Sequence, residues 1–219
     1  LWLRLQRSSI LGWTASLAVG GAAFGAWTDT LMSSFEDLPD ALIDVTGGDD
    51  DILAGYLGFL GLFMALLAGI YVVLAVQHLR TEETSGRGEP VLATPTSRRT
   101  WLGTHLLVTV GGTLSILATT GLATGVSVAA VTGEAHHVWD LTIAHLGFLP
   151  ALLVLLGLAA LLFGVAPRWI GVTWALLALS LVTDVFGPLM DLPSGLTALS
   201  PFGHVARAPL EDLRPLPLL

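Results

Sequence analysis

Four groups of ionisable residues in this chain have the types and spacing to do chemistry. Glu82 and Glu83 stand side by side, with Arg87 close after them, inside the charged stretch Arg80–Arg99, RTEETSGRGEPVLATPTSRR. Paired carboxylates activate water when they share a buried site, and make ion pairs when they lie at a polar interface. Glu134, His136, His137 and Asp140 share one short polar stretch, and imidazole with carboxylate is a zinc donor set. Asp44, Asp49, Asp50 and Asp51 offer the hard oxygen ligands that calcium takes. Asp29 and Asp184 stand in or beside apolar runs, where a carboxylate marks a substrate or proton path by default.

Spacing limits these readings. The acidic stretch 33–51 lacks the ligand order of an EF-hand and reads as a solvated loop. Adjacent histidines on the loop 132–140 are a thin basis for zinc, so no metal site is assigned. His105 and His145 lie near the ends of apolar runs and are expected to make ordinary hydrogen bonds.

The elements that position these residues are membrane spans. The chain has 219 residues, 53% hydrophobic and 12% charged, with mean hydropathy +0.78. Soluble domains carry about 25% charged residues, and apolar runs longer than about 18 residues are read as spans. The fold class is therefore all-α, a polytopic membrane helix bundle. Its expected spans are 10–32, 52–79, 101–131, 141–165 and 169–190, with Pro150 kinking the fourth. Gly21 and Gly25 form a small-xxx-small pair on the first, suited to close helix contact. The third carries Thr109, Thr113, Thr120 and Thr124, whose hydroxyls can bond to their own helix or to a neighbour. A net charge of −8 without a basic stripe excludes nucleic acid as a partner. The absence of cysteine excludes thiolate chemistry.

Arginine sets the orientation. With the amino end inside, Arg4, Arg7, Arg80, Arg87, Arg98, Arg99 and Arg168 all fall inside, and only Arg207 and Arg214 outside. That is a positive-inside bias, and it makes 80–99 a cytoplasmic loop and 191–219 an extracellular tail. Trp27, Trp101, Trp139 and Trp169 fall near span ends, as an aromatic belt requires.

The charged stretch resembles the cytoplasmic segment of ABC-2 type exporter permeases, in particular the bacterial polyketide-antibiotic and multidrug exporter group. That group's pattern is R-x-E-E-x-x-G-R-x-E-x-x-L-A-x-x-x-S-R, matched here by Arg80, Glu82, Glu83, Gly86, Arg87, Glu89, Leu92, Ala93, Ser97 and Arg98. The tail phrase Leu199-Ser-Pro-Phe-Gly-His-Val and the turn Phe163-Gly-x-x-Pro-Arg are similar to segments of the same group. The resemblance implies a transmembrane permease domain over 1–219, the C-terminal six-span half with its last helix missing. It implies a separate ABC ATP-binding subunit that holds ATP and magnesium, since no P-loop occurs here. Arg80, Glu82, Glu83, Arg87 and Glu89 would pair with that ATPase, and Gly86 and Pro90 would shape the turn. Further implied partners are a second permease half or copy, the lipid bilayer of the bacterial cell membrane, and a hydrophobic, antibiotic-like small molecule. On this reading the chain is not an enzyme, and Asp29 and Asp184 are candidates for the translocation path.

Two alternatives use the same residues. An ion- or proton-coupled secondary transporter would place its coupling carboxyl at Asp184. Glu82-Glu83-x-x-x-Arg87 also resembles the EExxxR motif of CAAX-protease-like intramembrane peptidases. That family needs Phe-x-x-x-His on another helix, and no phenylalanine in this chain has histidine four residues later. His136-x-x-x-Asp140 is similar to its third motif but falls on the opposite face of the expected topology.

Overall fold

The computed structural model describes residues 2–30, 52–84, 98–190 and 192–205. Among these, all regular structure is helical: α1 (Trp2–Ala26), α2 (Ile52–Thr84), α3 (Arg98–Thr132), α4 (His137–Gly147), α5 (Leu149–Val165) and α6 (Val172–Met190). Short 3-10 turns lie at Pro167–Trp169 and Phe202–His204. Five stretches are long and apolar enough to cross a membrane, with α4 and α5 together forming the fourth. The polytopic all-α class is as the sequence predicts.

Helix α2 is the hub. From Ile52 to Val76 it carries no charged side chain, and Leu57, Ala65, Ala68, Val72, Val73, Val76 and Leu79 are fully enclosed. A helix that is apolar all round belongs in the middle of a bundle, and α1, α3, α4, α5 and α6 all pack on α2. The spans alternate in direction. Gln6 of α1 and His105 of α3 meet Ala75 of α2 at the end where the charged stretch emerges. Tyr56 of α2 donates its hydroxyl to the carbonyl of Phe24 at the other end, at 3.1 Å.

Glycine sets the closest approaches. A Cβ on Gly25 of α1 would lie 2.9 Å from the carbonyl oxygen of Thr124 and 3.0 Å from Cβ of Ser127 on α3. On α3, a Cβ at Gly125 would lie 2.7 Å from the carbonyl oxygen of His137 and 2.8 Å from Cα of Val138 on α4. Together with Gly21 and Gly121 these make two small-xxx-small faces, so α3 is clasped between α1 and α4. Backbone contact of this kind supplies van der Waals packing that lipid cannot mimic.

Helix α3 is polar inside and greasy outside. Thr109, Thr113, Thr120 and Thr124 are buried, while Leu107, Leu114, Leu122 and Val126 are exposed. Of the two bonding modes open to the hydroxyls, the fold uses the intrahelical one: Thr109, Thr113 and Thr124 each donate to the carbonyl four residues earlier, at 2.9–3.0 Å. A backbone acceptor in the same helix satisfies the hydroxyl without a partner from a neighbour.

Several boundaries differ from expectation. Helix α1 starts at Trp2 rather than near residue 10, because Gln6 is buried against His105 and keeps the helix folded beyond the apolar run. It closes at Ala26, and the expected end at 32 lies outside the described residues. Helix α2 continues past Leu79 to Thr84, so Arg80, Glu82 and Glu83 are helical rather than loop. Pro150 does not merely kink the fourth span. The helix breaks at Phe148, whose N–H bonds to His145 at 3.1 Å, and α5 restarts with proline in its first turn, where no N–H is needed. Trp27, Trp139 and Trp169 are exposed as a belt requires, but Trp101 is buried in the bundle.

The Gly125 contact gives a test. Gly125→Ala forces α3 off α4 and lowers stability by about 1–3 kcal/mol. Gly157→Ala, where nothing lies within 4 Å of the added Cβ, leaves it unchanged or slightly raised. Thermal unfolding of both variants in detergent reads the difference.

Candidate functional site

The described structure has an open groove at the end of the bundle where α2 delivers the charged stretch. A groove of about 420 Å³ runs between α1 and α2, lined by Gln6, Ser9, Trp13, Tyr71, His78 and Thr81 among others. Its floor is a buried polar junction. The Nε2 amide of Gln6 donates to Nδ1 of His105 at 2.8 Å, and Nε2 of His105 donates to the carbonyl of Ala75 at 3.0 Å. Trp13 tilts over Tyr71 with ring centroids 6.5 Å apart, and Gly112 leaves room for the Tyr71 hydroxyl, which is buried without a hydrogen-bond partner. An aromatic wall with a few polar groups suits an amphipathic small molecule.

A second gap of about 450 Å³ lies on the other flank of α1, against Thr104, Leu107, Val108, Gly111, Gly112 and Ser115 of α3. At this end α1 has open space on both sides, whereas Gly21 and Gly25 hold it against α3 at the other.

The residues singled out from the sequence fall as follows. Arg80 is half-buried on the last turns of α2, close below the groove residues Gln77, His78 and Thr81. Glu82 and Glu83 lie on the final turn of the same helix. Gly86, Arg87, Glu89 and Pro90 lie outside the described residues, as do Asp44, Asp49, Asp50 and Asp51. Asp29 is exposed just beyond the end of α1, on the far side of the bundle from the groove. His145 is buried, its Nδ1 donating to the carbonyl of Leu141 at 2.8 Å.

Asp184 is buried on α6, and its partner comes from the tail. The Ser200 hydroxyl donates to Asp184 Oδ2 and itself accepts from the N–H groups of Phe202 and Gly203 at 3.2 and 3.4 Å. Phe202 is enclosed below it. A Cβ on Gly203 would lie 2.9 Å from Asp184 Oδ1, so a larger residue there would push the carboxylate aside. The phrase Ser-Pro-Phe-Gly-His is thus a turn that caps Asp184. Sequence reasoning separated the two, because they belong to different elements.

The groove residues Gln6, Trp13 and Tyr71 were not singled out from the sequence. The available signal was a small cluster of polar side chains, Gln6, Ser8 and Ser9, at the head of an apolar run.

Comparison with known proteins places this arrangement. The family model described as "Multidrug efflux system permease Rv1217c, C-terminal domain" matches residues 1–219, the whole chain. The chain belongs to this family. It is also 31% identical over 222 residues to the multidrug efflux system permease protein Rv1217c of Mycobacterium tuberculosis, an alignment covering 99% of this chain. The chain spans 40% of the length of that relative. The Rv1217c C-terminal family is thus represented here by an all-α bundle whose described residues include five stretches long and apolar enough to cross a membrane.

The Asp184–Ser200 contact is testable. The chain has no cysteine, so a single Val205→Cys reports whether the tail is docked. A hydrogen bond to a carboxylate is worth about 1.5–3 kcal/mol, so adding Asp184→Ala raises the maleimide-labelling rate at position 205 by roughly tenfold or more. An unchanged rate shows that Phe202 alone holds the tail.

Proposed function

We propose that this chain is the C-terminal transmembrane part of an ATP-driven exporter of the ABC-2 type, moving hydrophobic or amphipathic drug-like molecules out of a bacterial cell. The observation that carries the reading is the family match over the whole chain, to a family whose printed description is a multidrug efflux permease. The groove supports it, since aromatic walls and scattered amide and hydroxyl groups bind amphipathic molecules without demanding one shape.

The coupling element is the charged stretch 80–99. Glu82 and Glu83 close α2, and α3 starts again at Arg98, so any force on this stretch acts on two helices of the bundle. In this reading Glu82, Glu83, Arg87 and Glu89 make ion pairs with a separate ATP-binding subunit, and Gly86 and Pro90 shape the turn. ATP and magnesium bind that subunit. Closure of the ATPase then moves α2 and α3 as rigid bodies. The flanks of α1 are open at this same end, so the movement changes the groove while the glycine contact at the far end acts as a pivot. A second permease half, in the same polypeptide or another, completes the path. The positive-inside bias puts 80–99 in the cytoplasm and the tail outside.

A proton-coupled mechanism would draw on Asp184, whose carboxyl is engaged by Ser200, or on Asp29 beyond the end of α1. Neither faces the groove.

Glu83→Ala and Arg87→Ala decide the coupling role. Each removes one charged partner worth about 1.5–3 kcal/mol, so efflux of a fluorescent amphipathic drug falls roughly tenfold while ATP hydrolysis and membrane insertion persist. Efflux unchanged in both variants overturns it.

A further inference from the structure

We infer that the turn joining α3 to α4 is a binding site for a divalent transition-metal ion, zinc by its donor set, with Glu134, His136 and His137 as ligands. The helices explain why these residues meet. Helix α3 ends at Thr132, and Gly133 takes a left-handed φ of +79°, which turns the chain back over the start of α4. Glu134 therefore overhangs the first turn of α4, where His136 and His137 stand. The turn is held firmly from behind, because Gly125 of α3 packs directly on the backbone of His137 and Val138.

The donor atoms converge on one point. Glu134 Oε2 lies 3.3 Å from Nε2 of His137 and 3.8 Å from Nε2 of His136, and all three donor atoms fall within 4.8 Å of one another. Around a tetrahedral zinc ion with bonds of about 2.0–2.1 Å, neighbouring donors sit about 3.3 Å apart. Glu134 and His136 are both 58% exposed at the side chain, so their side chains can move onto a common ion beside the fixed His137 without disturbing the core. Asp140 Oδ2 lies 3.8 Å from Nε2 of His136, one helical turn along.

A second observation points to a ligand. The side chain of His137 is only 8% exposed, and among the described residues its buried Nε2 has no hydrogen-bond partner although it faces the Glu134 carboxylate at 3.3 Å. Leaving a buried polar atom unsatisfied is costly. An ion held between His137 and Glu134 satisfies both, and the paired imidazoles favour zinc or a similar metal over calcium or magnesium, which take all-oxygen sites. Two adjacent histidines on a short loop did not by themselves justify a metal site. The overhang of Glu134 and the burial of His137 do.

The site lies at the end of α3 remote from the groove, so it acts on the α3–α4 hairpin rather than on substrate. The ion joins the segment before α4 to its first turn, as a structural metal does in a loop. This conclusion rests only on the turn and holds whatever the bundle transports.

The test is zinc binding to the intact natural polypeptide, purified in detergent, stripped with chelator and freed of any affinity tag. Titration calorimetry is expected to show one equivalent of zinc bound by the wild type, and binding lost in the Glu134→Gln/His136→Ala double variant. Both altered side chains are exposed, so the variant is expected to unfold at the same temperature as wild type in the absence of metal, which checks that the loss is not misfolding. No saturable binding to the wild type, or one equivalent retained by a folded double variant, overturns the proposal.

Discussion

Helix α2 has no polar face, and the rest of the bundle follows from that. An apolar helix gains nothing from lipid that neighbours cannot also give, so what selects its neighbours is packing. Leu57, Ala65, Val72 and Val76 are fully enclosed, and every other span packs on α2. At about 1.5 Å per residue α2 is about 50 Å long, well beyond an apolar core of about 30 Å. The surplus carries Gln77, His78, Arg80, Glu82 and Glu83 out at one end. The element most deeply embedded in the bundle is thus also the one that delivers the charged stretch to the surface. A rigid connection between the interior and that surface is what a coupling role requires.

Around this hub the contacts grade from tight to loose along the membrane normal. At the end of the turn and tail, backbone meets backbone through Gly21, Gly25, Gly121 and Gly125. At the end of the charged stretch α1 is flanked by gaps and tied by one polar junction, Gln6–His105–Ala75. Packed small-residue faces resist separation, while a junction of two hydrogen bonds can be remade in another position. This asymmetry lets one end of the bundle move without unpacking the other.

The polar residues of the spans serve different ends. The hydroxyls of Thr109, Thr113 and Thr124 on α3 are satisfied within their own helix and ask nothing of their neighbours. Asp184 is the reverse case, since its partner Ser200 lies in the tail and fixes where the chain goes after the last described span. The turn at Glu134, His136 and His137 differs again, because its buried imidazole nitrogen faces a carboxylate at 3.3 Å but makes no hydrogen bond among the described residues.

The sequence by itself determined that the chain is a helical membrane bundle, which of the described helices are long and apolar enough to cross a membrane, and where the charged stretch falls between them. Hydropathy and length are local quantities, and a lipid solvent forces the backbone of each span to satisfy itself as helix. The match of Arg80, Glu82, Glu83, Gly86 and Arg87 to a known pattern was equally local. Helix ends were less legible. Gln6 belongs in α1 only because His105, far along the chain, receives it, and Phe148 marks a break only because Pro150 restarts a helix there. Partnership across elements was decided by tertiary structure alone. Gly25 could serve a face or simply be common in lipid until Thr124 was found against it, and Gly121 and Gly125 drew no attention. Asp184 looked like an isolated intramembrane carboxylate until the tail folded back to cap it. The groove of Gln6, Trp13 and Tyr71 had no signal beyond a few polar residues, because it is made from the facing sides of two helices that lie far apart in sequence. Which face of a helix looks at which neighbour is set by the packing of the whole bundle, and no single stretch of sequence carries it.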